Sequence, residues 1–441
     1  MLRILIAALG LTLVLDAQST PPPLIGLGDS IGEGVQSADA SYRTQPYTYL
    51  NWIARQMGVP FPLPLIQGGA LTTIESVTGR TRLDPTLAAS NLAVSGADVD
   101  SLLNQQATQP VTTETDLVLE PRTGSQMQIA VSLKSPFTVC WIGNNDVLGA
   151  ILAFDQLDAS QMTSVPQFTA DFAQIVAQLS TTGGKVVFGN IPDVTNIGFL
   201  FGPQDLVNFL GSDFGLPQGS YTTLPTMLLI KLGLFDGSIL QNPNFVLSSS
   251  EVQTIQQRLV TFNQTIAVDA AQAHMPVTDI HALFQYYGQH PLTIAGVTLT
   301  DRYLGGLFSL DGVHPSNIGH AVAANAFLTT ANAAFGLHIP LISNATLVQV
   351  LLADPFVDFN HDLRVRGRPF AGLLETLGPF LGISGDFADT GLPGPKIDRT
   401  LGPRFMRRYF ELTGRDPNSA WSRQDAIEAM RRILGLERWK R

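Results

Sequence analysis

The sequence predicts an α/β fold: a central, mainly parallel five-stranded sheet with helices on both faces. Two patterns predict it. Five short, near-continuous apolar runs each end in a polar loop, and helical patterns fill the intervals between them. Strands buried on both faces read as unbroken apolar runs, and parallel strands need long crossovers. The composition agrees. Of the 441 residues, 45% are hydrophobic and 14% charged, as in a core-rich globular protein rather than a disordered one. With a net charge of -10, nothing in the composition suggests the basic face that nucleic-acid binders present.

The chain can be taken in order. Residues 1–18 read as a signal peptide: Arg3 supplies a short positive start, 4–15 form an apolar run too short for a membrane span, and polar "DAQSTPPP" follows. A secreted or periplasmic location follows from it. With no second long apolar run, no transmembrane anchor is expected. The first strand lies in "PLIGLGDS" and the second in "SNLAVSGADV". The third, "FTVCWIGNND", holds Cys140, the single cysteine, which is expected to be a buried core thiol and excludes an intramolecular disulfide. "GKVVFGNIPD" and "MPVTDIHALF" are the fourth and fifth strands, and helices are expected over 47–57, 165–179, 249–273 and 317–334.

Between the fourth and fifth strands, 199–248 is rich in Phe, Leu, Gly and Pro. Such a stretch serves either as a lid or acyl-binding cap, or as an insertion that completes the core. The composition then changes near Asp354. Residues 361–441 carry 15 Lys and Arg against 10 Asp and Glu, a net of +5, which leaves -15 for the rest. The region 354–441 is expected to be a small, mainly helical appendage. One helix ends at Gly414, and a second starts at a Ser422–Asp425 capping box. Its positive charge would suit association with an acidic surface. "DFNHD" at 358–362 lacks the glycine and glutamate of a calcium loop and reads as a solvated turn.

Ligands of parallel sheets collect at the carboxyl ends of the strands, so the residues there carry the chemistry. Gly28-Asp29-Ser30-Ile31-Gly32 fits the G-x-S-x-G pattern of a nucleophilic serine, and equally an ordinary loop. Ser95-Gly96 ends the second strand, where a glycine lets its N–H approach a substrate. Gly143-Asn144-Asn145-Asp146 ends the third, where an asparagine amide can donate to an oxyanion. "SLDGVHPS" sets Asp311 three residues before His314, close enough for the acid to reach the imidazole within one turn. His320 falls in the helical pattern that follows, and the other histidines lack an acid in such a turn.

In this order, "GDS", Gly96, "GNND" and "DGVHPS" resemble the four blocks of the SGNH or GDSL hydrolase family. The resemblance spans 24–336 and leaves the tail uncovered. Ile31 stands where the family name has leucine. The resemblance implies a flavodoxin-like three-layer α/β/α sandwich and a GDSL-type esterase or lipase that needs no cofactor and no metal. By the same resemblance Ser30 is the nucleophile, His314 the base and Asp311 the residue that orients it. Ser30 N–H, Gly96 N–H and the Asn145 amide form the oxyanion hole. Asp29 and Asp146 are expected to brace loops through side-chain hydrogen bonds. An α/β-hydrolase elbow fits less well, since it follows several strands and its acid precedes its histidine by far more than three residues.

The expected activity is hydrolysis of a small-molecule or lipid ester through an acyl-enzyme, rising with pH as the imidazole loses its proton. The apolar stretch 199–248 favours lipid or acyl esters. The alternatives are a carbohydrate acetyl esterase of the same family and a non-catalytic binding module on this scaffold. The intact Ser30, Asn145, Asp311 and His314 argue against the latter.

Overall fold

In the computed structural model, residues 20–67, 80–153, 156–231, 234–359 and 401–422 are described, with 365, 383–384, 396–397, 425 and 429. Four strands pair in parallel: β1 (Ile25–Gly28), β2 (Phe137–Trp141), β3 (Lys185–Gly189) and β4 (Val277–Thr278). They lie in that order across the sheet. The fifth position is filled by 90–94, which joins β1 through a single parallel bridge, Gly26 to Asn91. Leu92 N–H donates to Gly26 O (2.8 Å) and Val94 N–H to Gly28 O (3.1 Å). The second segment in the chain thus sits outside the first, giving the order 2-1-3-4-5 of the flavodoxin-like doubly wound sheet.

The side chains explain why both faces are covered. In β2, Phe137, Val139 and Trp141 face one way and Cys140 the other; in β3, Val187 opposes Val186 and Phe188. Strand residues alternate between faces, so two apolar sets must each find a partner. Helices Tyr49–Met57 and Asn317–Phe335 cover one face, where Tyr49 packs on Trp141 and Phe327. Helices Val165–Ser180 and Ser249–Gln272 lie on the other, with Phe168 stacked on Phe262 at 3.9 Å between ring centres. Each such fully buried ring contributes on the order of 2 to 3 kcal/mol. Cys140 lies in this interior, and burial pushes its thiol well above the usual range, as for an inert core residue.

Three sequence expectations change. The fifth strand is only Val277–Thr278; the rest of its apolar run belongs to helix Ile280–Gln289, started by the Asp279 cap on Ala282 N–H (2.9 Å). The first long helix starts at Tyr49 rather than 47, because the 3-10 turn Gln45–Tyr47 precedes it. Helices Val99–Asn104, Glu114–Leu119 and Gln126–Leu133 fill a stretch left unassigned.

The apolar stretch 199–248 packs inward. Phe201, Leu206, Leu224, Met227, Leu228, Leu229 and Leu247 are buried and join the same core as the apolar face of helix Ser249–Gln272. Helix Leu401–Leu412 and the left-handed Gly414 lie where expected, and Ser422 and Asp425 make the capping exchange. Apart from Ala429, the rest of that second helix lies outside the described residues, as do most of "DFNHD" and the leader 1–18. Among the described residues no helix is long and apolar enough to cross a membrane.

Candidate active site

The carboxyl end of β1 is pinned before the serine is reached. Gln126 exchanges two hydrogen bonds with the Gly28 backbone, at 3.1 and 3.0 Å. Gly28 has φ +152°, and a Cβ there would lie 2.4 Å from the Trp141 carbonyl oxygen. Only glycine lets the two strands approach this closely. Asp29 then caps the four-residue helix Ser30–Glu33, accepting from Ile31 N–H at 2.9 Å and from Asn144 Nδ2 at 2.7 Å. Burial pushes the Asp29 acid up to about 6, and these donors work against the rise. Ser30 opens the helix with 8% of its surface exposed.

The loop 309–316 brings the histidine to it. Asp311 Oδ1 accepts from the N–H groups of Val313 (2.8 Å) and His314 (2.9 Å), which folds the D-x-x-H turn around the carboxylate. Asp311 Oδ2 accepts from Ala38 N–H at 2.7 Å and lies 2.7 Å from His314 Nδ1. His314 Nε2 lies 2.8 Å from Ser30 Oγ. With its Nδ1 proton on the carboxylate, neutral imidazole turns the Nε2 lone pair to the serine hydroxyl. Burial alone would raise Asp311, but the imidazole and the surrounding donors hold it below the usual carboxylate range.

The strand segment 90–94 and β2 supply the opposite wall. Gly96 is exposed with φ +80°, a left-handed conformation that favours glycine, and its N–H has no protein partner among the described residues. Asn145, half-buried at the start of helix Asn145–Leu152, donates one amide hydrogen to Ala97 O at 2.8 Å and keeps a second. Asp146 accepts from Val99 N–H at 3.1 Å. Burial first, then the Asp98 charge, push its acid up to about 7. Asp29 and Asp146 thus brace the loops on either side of Ser30.

His320 is excluded from this chemistry. It is buried in helix Asn317–Phe335, its Nδ1 accepts from Tyr49 N–H (3.3 Å), and burial pushes it down to about 3. The sequence reading missed the residues that hold the acid loop. Ser37 N–H donates to Ser309 Oγ (2.8 Å) and Leu310 N–H to Ser37 Oγ (3.1 Å). Ser37 and Ala38 both have positive φ, 53° and 55°. Two consecutive left-handed non-glycine residues mark a backbone held by its surroundings, here by the acid loop. An apolar pocket borders the same loop, lined among others by Trp141, Phe284, Phe308 and Pro315.

A doubly wound sheet that carries a serine, an imidazole and a carboxylate in hydrogen-bonded series at its carboxyl edge has the arrangement of a serine hydrolase. The model of the GDSL-like lipase and acylhydrolase family matches residues 24–327, and the chain belongs to that family. Similar solved structures include LAE5, an α/β hydrolase enzyme from the metagenome of Lake Arreo, Spain. It is 15% identical over 71% of this chain and 95% of its own, with a TM-score of 0.35. A lipase/acylhydrolase from Enterococcus faecalis is 13% identical over 72% and 98%, with a TM-score of 0.33. An acetyl xylan esterase from Geobacillus stearothermophilus is 14% identical over 70% and 94%, with a TM-score of 0.34. Comparison with curated proteins gives no match.

Proposed function

We propose that the protein is an extracytoplasmic serine esterase acting on acyl or lipid esters, with Ser30 as nucleophile. The observation that carries the reading is the unbroken hydrogen-bond series Asp311–His314–Ser30, at 2.7 and 2.8 Å. Ser30 Oγ attacks the ester carbonyl as its proton passes to His314 Nε2. Asp311 holds the imidazole tautomer and stabilises the imidazolium that forms. The N–H groups of Ser30 and Gly96 and the Asn145 amide receive the oxyanion. Collapse expels the alcohol, which takes the proton from His314, and leaves an acyl-enzyme. Water then attacks the acyl group, with His314 again as base.

Membership of the GDSL-like lipase and acylhydrolase family supports an acyl substrate. The buried residues of 199–248 serve the core, and the apolar pocket beside the histidine loop holds no more than a water and is lined by no triad residue, so neither carries the acyl reading. The apolar leader supports export, and the basic tail fits a role in holding the enzyme at an acidic surface. The test compares wild type with Ser30→Ala, using a fluorophosphonate probe and p-nitrophenyl esters from acetate to palmitate. Wild type should be labelled, and the variant should lose labelling and at least about 10³-fold of turnover. Wild-type kcat/KM should rise with acyl length. A sharp preference for acetate would instead favour the carbohydrate acetyl-ester reading, and equal labelling of both proteins would remove Ser30 from the mechanism.

A further inference from the structure

Glu33 ends the short helix that Ser30 begins, and its side chain is wholly buried. Its Oε2 accepts two hydrogen bonds from one residue: Ser95 N–H at 2.7 Å and Ser95 Oγ at 2.5 Å. Ser95 directly precedes Gly96. From the same segment, Asn91 Nδ2 donates to Gly32 O at 2.8 Å. The nucleophile helix and the glycine loop are therefore joined at two points, one of them a carboxyl group with no contact to the reacting atoms.

Behind Glu33 lies a second buried acid, Glu114, whose Oε2 meets Arg80 Nη1 at 2.5 Å. Both side chains of that pair are fully buried, and Arg80 Nη2 also holds Ala40 O at 2.7 Å. Neither Glu33 Oε1 nor Glu114 Oε1 has a donor among the described residues. Two buried carboxylates beside one guanidinium leave an uncompensated charge if both ionise, which is strongly unfavourable. One proton held by the two acids leaves a single carboxylate of this pair against the Arg80 guanidinium. Burial first, and then the Glu114 charge, push Glu33 well above the usual carboxylate range, in agreement with a retained proton. Arg80 and Asp39 are the other charged groups of the cluster.

We propose that Glu33 is a positioning residue that fixes the Gly96 N–H relative to Ser30 through its two hydrogen bonds to Ser95, and that the Glu114–Arg80 pair holds Glu33 in place. The inference rests on the reading of Ser30 as nucleophile and Gly96 as an oxyanion donor. A donor misplaced by a fraction of an ångström weakens the transition state and leaves substrate binding intact.

Glu33→Leu removes the acceptor. It should lower kcat on p-nitrophenyl esters about 10- to 100-fold with KM unchanged, and slow fluorophosphonate inactivation in parallel, since that reaction develops the same oxyanion. Glu33→Gln keeps an acceptor for Ser95 and offers an amide to Glu114, and should restore kcat to within about 3-fold of wild type. Where circular dichroism shows that Glu33→Leu does not fold, Ser95→Ala replaces it, losing one of the two bonds and about 3- to 10-fold of kcat at constant KM. Unchanged kcat and inactivation in Glu33→Leu, or in its replacement Ser95→Ala, overturns the proposal. So does a rise in KM alone, or a Gln variant as impaired as the Leu variant. Wild type that neither labels nor turns over overturns the esterase reading and this inference with it; labelled wild type with an indifferent Glu33→Leu overturns this inference alone.

Discussion

Each carboxylate oxygen of Asp311 accepts from more than one donor. Oδ1 takes Val313 N–H, His314 N–H and Ser309 Oγ, and Oδ2 takes Ala38 N–H and the imidazole. An amide at this position always turns its NH₂ toward donors. If the NH₂ replaces Oδ2, it faces Nδ1–H and drives the imidazole to the other tautomer, which removes the lone pair from Ser30. Asp311→Asn should therefore lower kcat by about 10³- to 10⁴-fold with KM little changed, read by steady-state hydrolysis of a soluble ester. A loss under about 10-fold would show that Asp311 does not set the tautomer. The same residue shows what a sequence can reveal. Asp311 and His314 share one turn, so their meeting was legible from spacing alone. The distance from Ser30 to His314 depends on the sheet order, and needed the family's block order to be read. Glu33, Ser95, Arg80 and Glu114 were not legible: four polar residues at unrelated spacings meet only when the chain has folded. The one available signal was a second acid, Glu33, inside the short "GDSIGEG" stretch.

At the scale of elements, the site is made by strand ends, and these depend on close backbone approach. Strands β1 to β3 were legible because residues buried on both faces give continuous apolar runs. The fifth was overread, since its apolar run passes from Val277–Thr278 straight into helix Ile280–Gln289 and hydrophobicity does not mark the Asp279 cap between them. The short helices of 99–133 were missed because six to eight residues are too few to establish a period. Gly28 is where an element and the site meet. A methyl group there would press on the Trp141 carbonyl, which is backbone and cannot rotate away. Gly28→Ala should cost about 2 kcal/mol or more, since it adds overpacking to a φ of +152°. It should also shift Ser30 away from His314. Urea unfolding followed by fluorescence would report the first effect, and phosphonate labelling of the folded variant the second. A variant with wild-type midpoint and wild-type labelling would mean that β1 and β2 can separate freely at this point.

At the scale of the whole molecule, the interior holds several carboxyl groups that prefer their protons. Burial pushes Asp29 up to about 6, and Asp146 and Asp354 up to about 7. In the unfolded chain an aspartic acid titrates near 3.9. Between about pH 4 and 7, then, the folded state holds protons that the unfolded state has released. Stability falls with rising pH wherever the native state binds more protons, so this interval should be one of progressive loss, levelling off above about pH 7. The net charge of -10 adds repulsion in the same direction. Asp311 and Asp116 are held low and act oppositely, but only below the ordinary carboxylate range. The midpoint of urea unfolding should be highest near pH 4 and fall by a few kcal/mol in equivalent stability toward pH 7, since a tenfold difference in proton affinity between the folded and unfolded states is worth about 1.4 kcal/mol. Asp146→Asn isolates one contributor. Its amide keeps an acceptor for Val99 N–H and places a neutral group at the buried Oδ1, which has no partner among the described residues. The variant should lose less stability than wild type between pH 5 and 7, so the two curves converge or cross as pH rises. Parallel curves would show that Asp146 is ionised in the fold throughout, and that the donors around it outweigh its burial.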